Sequence, residues 1–194
     1  MRELIQMWVA EHTIFKRLLT EIEQQTTLFR RGEAVDYDLM LNVVYYMVEY
    51  PDRFHHPAED VVFKLVAERE GGAKGAVEML RQEHRVIAES GMALRQQIAA
   101  VVNGAVASRI AVVRPAQKYL EFFRRHMNNE ESIVFPVAKN ALHDSDWELV
   151  YRWPGIRPEL PFDKSIGEPW RSLRSQIAAD IHCGCSSGSA GPVC

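Results

Sequence analysis

Apolar residues recur at helical spacing along most of this chain, and the pattern breaks at short joints carrying Gly, Asn or Pro. The first periodic stretch runs from about residue 2 to residue 31. It sets Leu4, Trp8, Phe15, Leu18, Leu19 and Ile22 on one side, with Gly32 just past its end. The second begins after Asp36, an N-cap residue, and carries Leu39, Val43, Tyr46 and Met47. Pro51 and Pro57 interrupt it, which predicts a kink or short break near residues 50–56 before the pattern resumes over 61–70 and stops at Gly71 and Gly72. The third stretch covers residues 73–102, with Val77, Leu80, His84, Ile87 and Leu94 roughly in line, and ends at Asn103 and Gly104. The fourth starts near Ser108, passes Phe122, His126 and Glu130, and reaches about Leu142. Pro115 is expected to delay its true start, and Pro136 falls near its last turns. No stretch alternates with the period of a strand. The expectation is an all-α protein: an antiparallel, up-down four-helix bundle over residues 1–142.

Beyond Leu142 the texture changes. Residues 144–153 are expected to form a short helix, Pro154, Gly155, Pro158, Pro161 and Gly167 impose an extended stretch, and residues 169–181 form a last short helix. This defines a helical and extended C-terminal extension, 143–182, packing on or beside the bundle. It is read as covering one end of the bundle or mediating self-association. Residues 183–194, CGCSSGSAGPVC, have no means to pack a core and are expected to be disordered.

The polar positions repeat as well. Glu11-His12 is followed by His55-x-x-x-Glu59, and Glu83-His84 by His126-x-x-x-Glu130, with His-to-His intervals of 43 and 42 residues. Residues four apart share one face of a helix, so four helices could point four imidazoles and two carboxylates into one core. Such a set holds two metal ions, with His12, His55, His84 and His126 as terminal donors and Glu59 and Glu130 as shared ones. Of the seven histidines, only His55 and His126 have Glu at the fourth position beyond them, and they are the two that close the repeat. His56 and Asp60 make a second pair at that spacing. Aligning HHPAED with HMNNEE sets His56 on Met127, and a shift of one residue turns a helical side chain by about 100°. His56 is therefore expected to point away from the site, behind the ligands or at the surface. His143 reads as a helix C-terminal dipole partner or surface residue, and His182 belongs to the tail. No histidine has Glu three residues before it, which disfavours a ferritin-like di-metal bundle.

Bulk properties narrow the classes further. A chain of 194 residues suits one domain able to bury a core without a structural metal. A formal charge of -3 and a pI near 6.2 give no footprint for nucleic acid or an anionic membrane, and no apolar run suggests a membrane span. The N-terminus reads as the start of an amphipathic helix and not as a signal peptide. Cys183, Cys185 and Cys194 all fall in the tail, so the body has no disulfide framework, and the expected location is the cytoplasm. With His182 they could bind a soft metal or form a disulfide, although a flexible terminus without a role is the plainer reading. Trp8, Phe15, Phe63, Phe122 and Phe123 are candidates for an apolar wall around the metals, or for ordinary core.

The segments EHTIFKRLL, RFHHPAEDVVF, QEHRVI and RRHMNNEESIVFP resemble the hemerythrin-like, or HHE cation-binding, family over about residues 1–142. The resemblance implies an up-down bundle holding a non-haem centre of two iron ions, with both carboxylates bridging and dioxygen or nitric oxide as ligand. Manganese and zinc accept the same donors. Oxygen-carrying members place His-x-x-x-His on the third helix, whereas here Leu80 and Ala88 flank His84 at that spacing. One imidazole is thus expected to be missing, and the remaining set looks more like bacterial members linked to sensing or to repair of nitrosative and oxidative damage. The expectation is a binding or sensing module for dioxygen, nitric oxide or iron. The alternative is a di-iron redox enzyme or iron donor in repair. No flavin or haem motif supplies electrons, which tilts the reading away from an enzyme.

Overall fold

A computed structural model of the chain describes residues 3–105, 108–153 and 175. Among these residues the fold is all-helical. The expected extended stretch, the last short helix apart from Ser175, and the tail with His182, Cys183, Cys185 and Cys194 lie outside them.

Helix α1 (Glu3–Arg31) buries the face carrying Leu4, Trp8, Phe15 and Leu19. It ends at Gly32, whose positive φ of 75° lets Glu33 N–H reach the Leu28 carbonyl and Gly32 N–H the Phe29 carbonyl. Helix α2 (Tyr37–Tyr50) starts where the Asp36 carboxylate accepts the Leu39 N–H at 2.9 Å, the cap expected from sequence.

The chain does not break at the prolines that follow. Pro51–His55 form a π-helical turn, with His56 N–H on the Pro51 carbonyl, and α3 (His56–Arg69) continues from it. In a regular helix the Pro57 ring would press on the carbonyl four residues back; the wider turn makes room. The same device precedes Pro136. Helix α5 (Arg109–Asn129) passes through the π-helical turn Glu130–Val134 into α6 (Phe135–Ala141). Between these pairs runs α4 (Lys74–Val102).

Pro115 does not delay α5, contrary to expectation: it sits inside the helix. Val112, Val113 and Ala116 are buried around it, and that packing offsets the missing backbone bond.

Helix α1 packs against α2 and α5, and α4 packs against the same two; α3 lies on α4 and α6. Two apolar clusters result. One contains Phe15, Met47, Leu94, Tyr119 and Phe123. The other contains Trp8, Phe63, Leu80, Phe135 and Trp147. Trp147 belongs to α7 (Asp144–Arg152), whose Asp146 accepts the His143 N–H and the Arg69 guanidinium, the latter at 2.7 Å. His143 itself is exposed and caps α7.

Gly91 lets α4 approach its neighbours closely. A Cβ there would lie 2.8 Å from Val48 Cγ2 and 2.9 Å from Tyr119 Cε2, and Tyr119 is held by its hydroxyl on the Met47 carbonyl. Gly91→Ala is therefore expected to destabilise the protein by about 1 kcal/mol in urea unfolding, overpacking outweighing the better helix propensity. An unchanged or raised midpoint would refute that close contact.

Candidate metal centre

The apolar clusters meet at a layer of buried histidines and carboxylates. Helix α1 brings Glu11 and His12, and the first π-helical turn brings His55. Helix α3 brings His56, Glu59 and Asp60. Helix α4 adds Glu83 and His84, α5 adds His126, and the second π-helical turn adds Glu130 and Glu131. All six residues expected as ligands are buried here, with Glu59 and Glu130 at 0 % exposure. Together with His56 they fall into two groups whose donor atoms lie within 4.8 Å of one another: His12, His55, Glu59 and Glu130 in one, and His56, Glu59, His84 and His126 in the other.

The distances show how the carboxylates are shared. Glu59 Oε1 lies 3.2 Å from His55 Nε2 and 3.8 Å from His12 Nε2, while Oε2 lies 3.7 Å from His84 Nε2. Glu130 does the converse: Oε1 is 2.9 Å from His126 Nε2 and 3.4 Å from His84 Nε2, and Oε2 is 3.4 Å from His12 Nε2. Each carboxylate thus offers one oxygen to each pair of imidazoles. His12 Nε2 and His55 Nε2 converge to 3.0 Å.

The other ring nitrogens face carboxylates that sequence reasoning did not assign. His12 Nδ1 bonds to Glu131 at 2.9 Å, and Lys16 Nζ donates to the same oxygen. His55 Nδ1 bonds to Glu11 at 2.5 Å, whose second oxygen accepts the Tyr50 hydroxyl. His126 Nδ1 bonds to Glu83 at 3.2 Å, and Asp60 lies 3.3 Å from His84 Nδ1. The glutamate of each Glu-His dipeptide therefore serves the histidine of another helix, not its own neighbour. A carboxylate behind an imidazole fixes the ring and directs its Nε2 inward.

His56 overturns its expectation. It is buried, bonds through Nδ1 to Asp52 at 3.0 Å, and stacks on His84 with centroids 4.2 Å apart. The buried arc at this junction is wide enough for both neighbours: His55 faces α1, and His56 faces His84 of α4 and His126 of α5. The alignment with Met127 holds, since Met127 is buried as well; what fails is the inference that a rotation of one residue carries a side chain out of so wide a buried arc.

Among the expected wall residues, Phe15 lies 5.1 Å from the His55 ring, Phe63 6.0 Å from His84, Trp8 6.4 Å from His55 and Phe123 5.9 Å from His56. Phe122 lies instead beneath the Arg125 guanidinium. Phe135, which the periodicity did not single out, stacks on His12 at 5.8 Å.

The cluster suits a cation. Both oxygens of Glu59, Glu130 Oε2, His126 Nε2 and His56 Nε2 are buried without a hydrogen-bond partner. Such groups are costly in an apolar interior, and divalent metals use these oxygen and nitrogen lone pairs. Without metal, protons carry the positive charge. Burial opposes charging of His126, but Glu130 and Glu83 outweigh it and raise its pKa to about 9. His55 and His84 are raised in the same way, against burial, by their carboxylates. Burial and then the Glu130 charge push Glu59 up. Glu130, though buried, is held well below the usual range by His126, His84 and His12.

A helical fold with a buried, shared His/Glu cluster is an arrangement that could hold cations. The chain belongs to the hemerythrin family: the family model described as the Hemerythrin HHE cation binding domain matches residues 3–138. No curated protein and no solved structure gives a significant match.

The raised histidines set a pH dependence for the metal-free protein. With His126 at about 9 against an ordinary 6.5, its ion pairing is fully stabilising below pH 6.5 and is lost as pH rises through 9. The Tm of metal-free protein is expected to fall across that window, while Tm of metal-loaded protein changes less. A flat metal-free profile would count against this pairing.

Proposed function

We propose that the protein holds a dinuclear non-haem iron centre and uses it to bind or sense a diatomic ligand, dioxygen or nitric oxide. The observation carrying this reading is the split of Glu59 and Glu130, each with one oxygen toward either imidazole pair. His12 and His55 would be terminal donors to one iron, His84 and His126 to the other, and the two carboxylates would bridge. Manganese or zinc would fit the same donors, and iron is favoured by the family resemblance. The cyclic packing of α1, α2, α4 and α5 supports an antiparallel, up-down four-helix bundle. Residues 1–142 are proposed as that bundle, 143–182 as an extension and 183–194 as a disordered tail.

Two ferrous ions when bound would supply the electrons that hold or reduce the diatomic ligand. The chain's own contribution is positional. Glu131, Glu11 and Glu83 orient three of the imidazoles by hydrogen bonds, Asp60 lies 3.3 Å from His84 Nδ1, and Phe15, Phe63, Phe123, Phe135 and Trp8 surround them with apolar rings. The proposed role is binding, and a repair enzyme or iron donor is the second reading. Among the described residues no helix is long and apolar enough to cross a membrane, and a cytoplasmic location is proposed.

Metal analysis after anaerobic ferrous reconstitution, paired with optical spectra before and after air, tests this. About two irons per chain and a charge-transfer band on oxygenation are expected, with the band lost in His55→Ala and Glu130→Ala. Reversal under vacuum would favour carriage, and decay to a stable ferric form would favour sensing or redox chemistry. A protein that takes up no iron and shows no band would sink the proposal.

A further inference from the structure

We infer that His56 is a metal ligand, a fifth imidazole that enters from α3 and completes the donor set on the His84/His126 side. The inference rests on the dinuclear reading above and adds a donor to it. His56 is 4 % exposed, and its ring meets His84 at 4.2 Å and His126 at 5.6 Å between centroids. Its Nδ1 is engaged by Asp52 at 3.0 Å. When that nitrogen carries the proton and donates it, Nε2 keeps a free lone pair. Nε2 is buried and has no hydrogen-bond partner. A ring nitrogen of His56 lies within 4.8 Å of donor atoms of Glu59, His84 and His126. These are the features of the expected ligands: a carboxylate at Nδ1 and an inward Nε2.

The chain's near-repeat shows what His56 adds. Glu11 and Glu83, His12 and His84, His55 and His126, Glu59 and Glu130, and Asp60 and Glu131 fill matching roles in the two halves. His56 has no counterpart, since Met127 stands at the matching position and is buried in the apolar core. One metal thereby gains three imidazoles and the other keeps two. The imidazole absent at Leu80 and Ala88 on the helix of His84 is supplied from a different helix.

Proton NMR of the full-length protein loaded with Co(II) under nitrogen tests this directly. Every cobalt-bound imidazole with a proton on Nδ1 gives one paramagnetically shifted, solvent-exchangeable resonance. Five such resonances are expected in the wild type, from His12, His55, His56, His84 and His126. His56→Gln is expected to show four, with the affinity for the second cobalt lowered at least about tenfold. Asp52→Asn is expected to keep five and shift one of them, a readout available even if His56→Gln does not fold. Four resonances in the wild type, unchanged in His56→Gln, would overturn the ligand role of His56 and leave the dinuclear site standing. Failure of the wild type to bind cobalt, with no shifted resonances, would overturn both.

Discussion

Two carboxylates buried beside each other need positive charge between or around them, and much of this structure answers that need. Glu59 and Glu130 come from different helices and have no exposure to solvent. In an apolar interior their mutual repulsion and lost hydration are tolerable only if protons or metal ions compensate. The imidazoles could supply either remedy, by holding protons or by donating lone pairs to a cation. The outer carboxylates keep those imidazoles in place. The charge of the centre is therefore distributed in shells, with each shell supporting the one inside it.

Much of the helical fold and the convergence of the six expected residues were legible in the sequence because both obey local periodicity. The apolar repeat marks the helices, Asp36 marks a start, and His-x-x-x-Glu marks a shared face. The pairing of Glu11 with His55 and of Glu83 with His126 was not legible, because adjacency in sequence suggests that each glutamate belongs with the histidine beside it. On a helix, neighbours point apart, and the true partner comes from another element. Phe135 was missed for a related reason: its contact with His12 depends on how α6 sits on α1.

His56 and Pro115 failed differently. Neither residue has a single meaning fixed by its local sequence. For His56, the one-residue rotation is real, but α3 at this level is surrounded by α1, α4 and α5, so two adjacent side chains can both be interior. For Pro115, the burial of Val112, Val113 and Ala116 outweighs the propensity that the residue carries alone. Tertiary packing overrode the local signal in each case.

The centre also lies between two separately packed apolar clusters, with Phe15 and Phe123 on one side and Trp8, Phe63 and Phe135 on the other. Its donors are therefore the seam along which the ends of the molecule are joined. A cation held there would be liganded by residues from both sides of the seam, so its binding energy would also count toward holding the two clusters together.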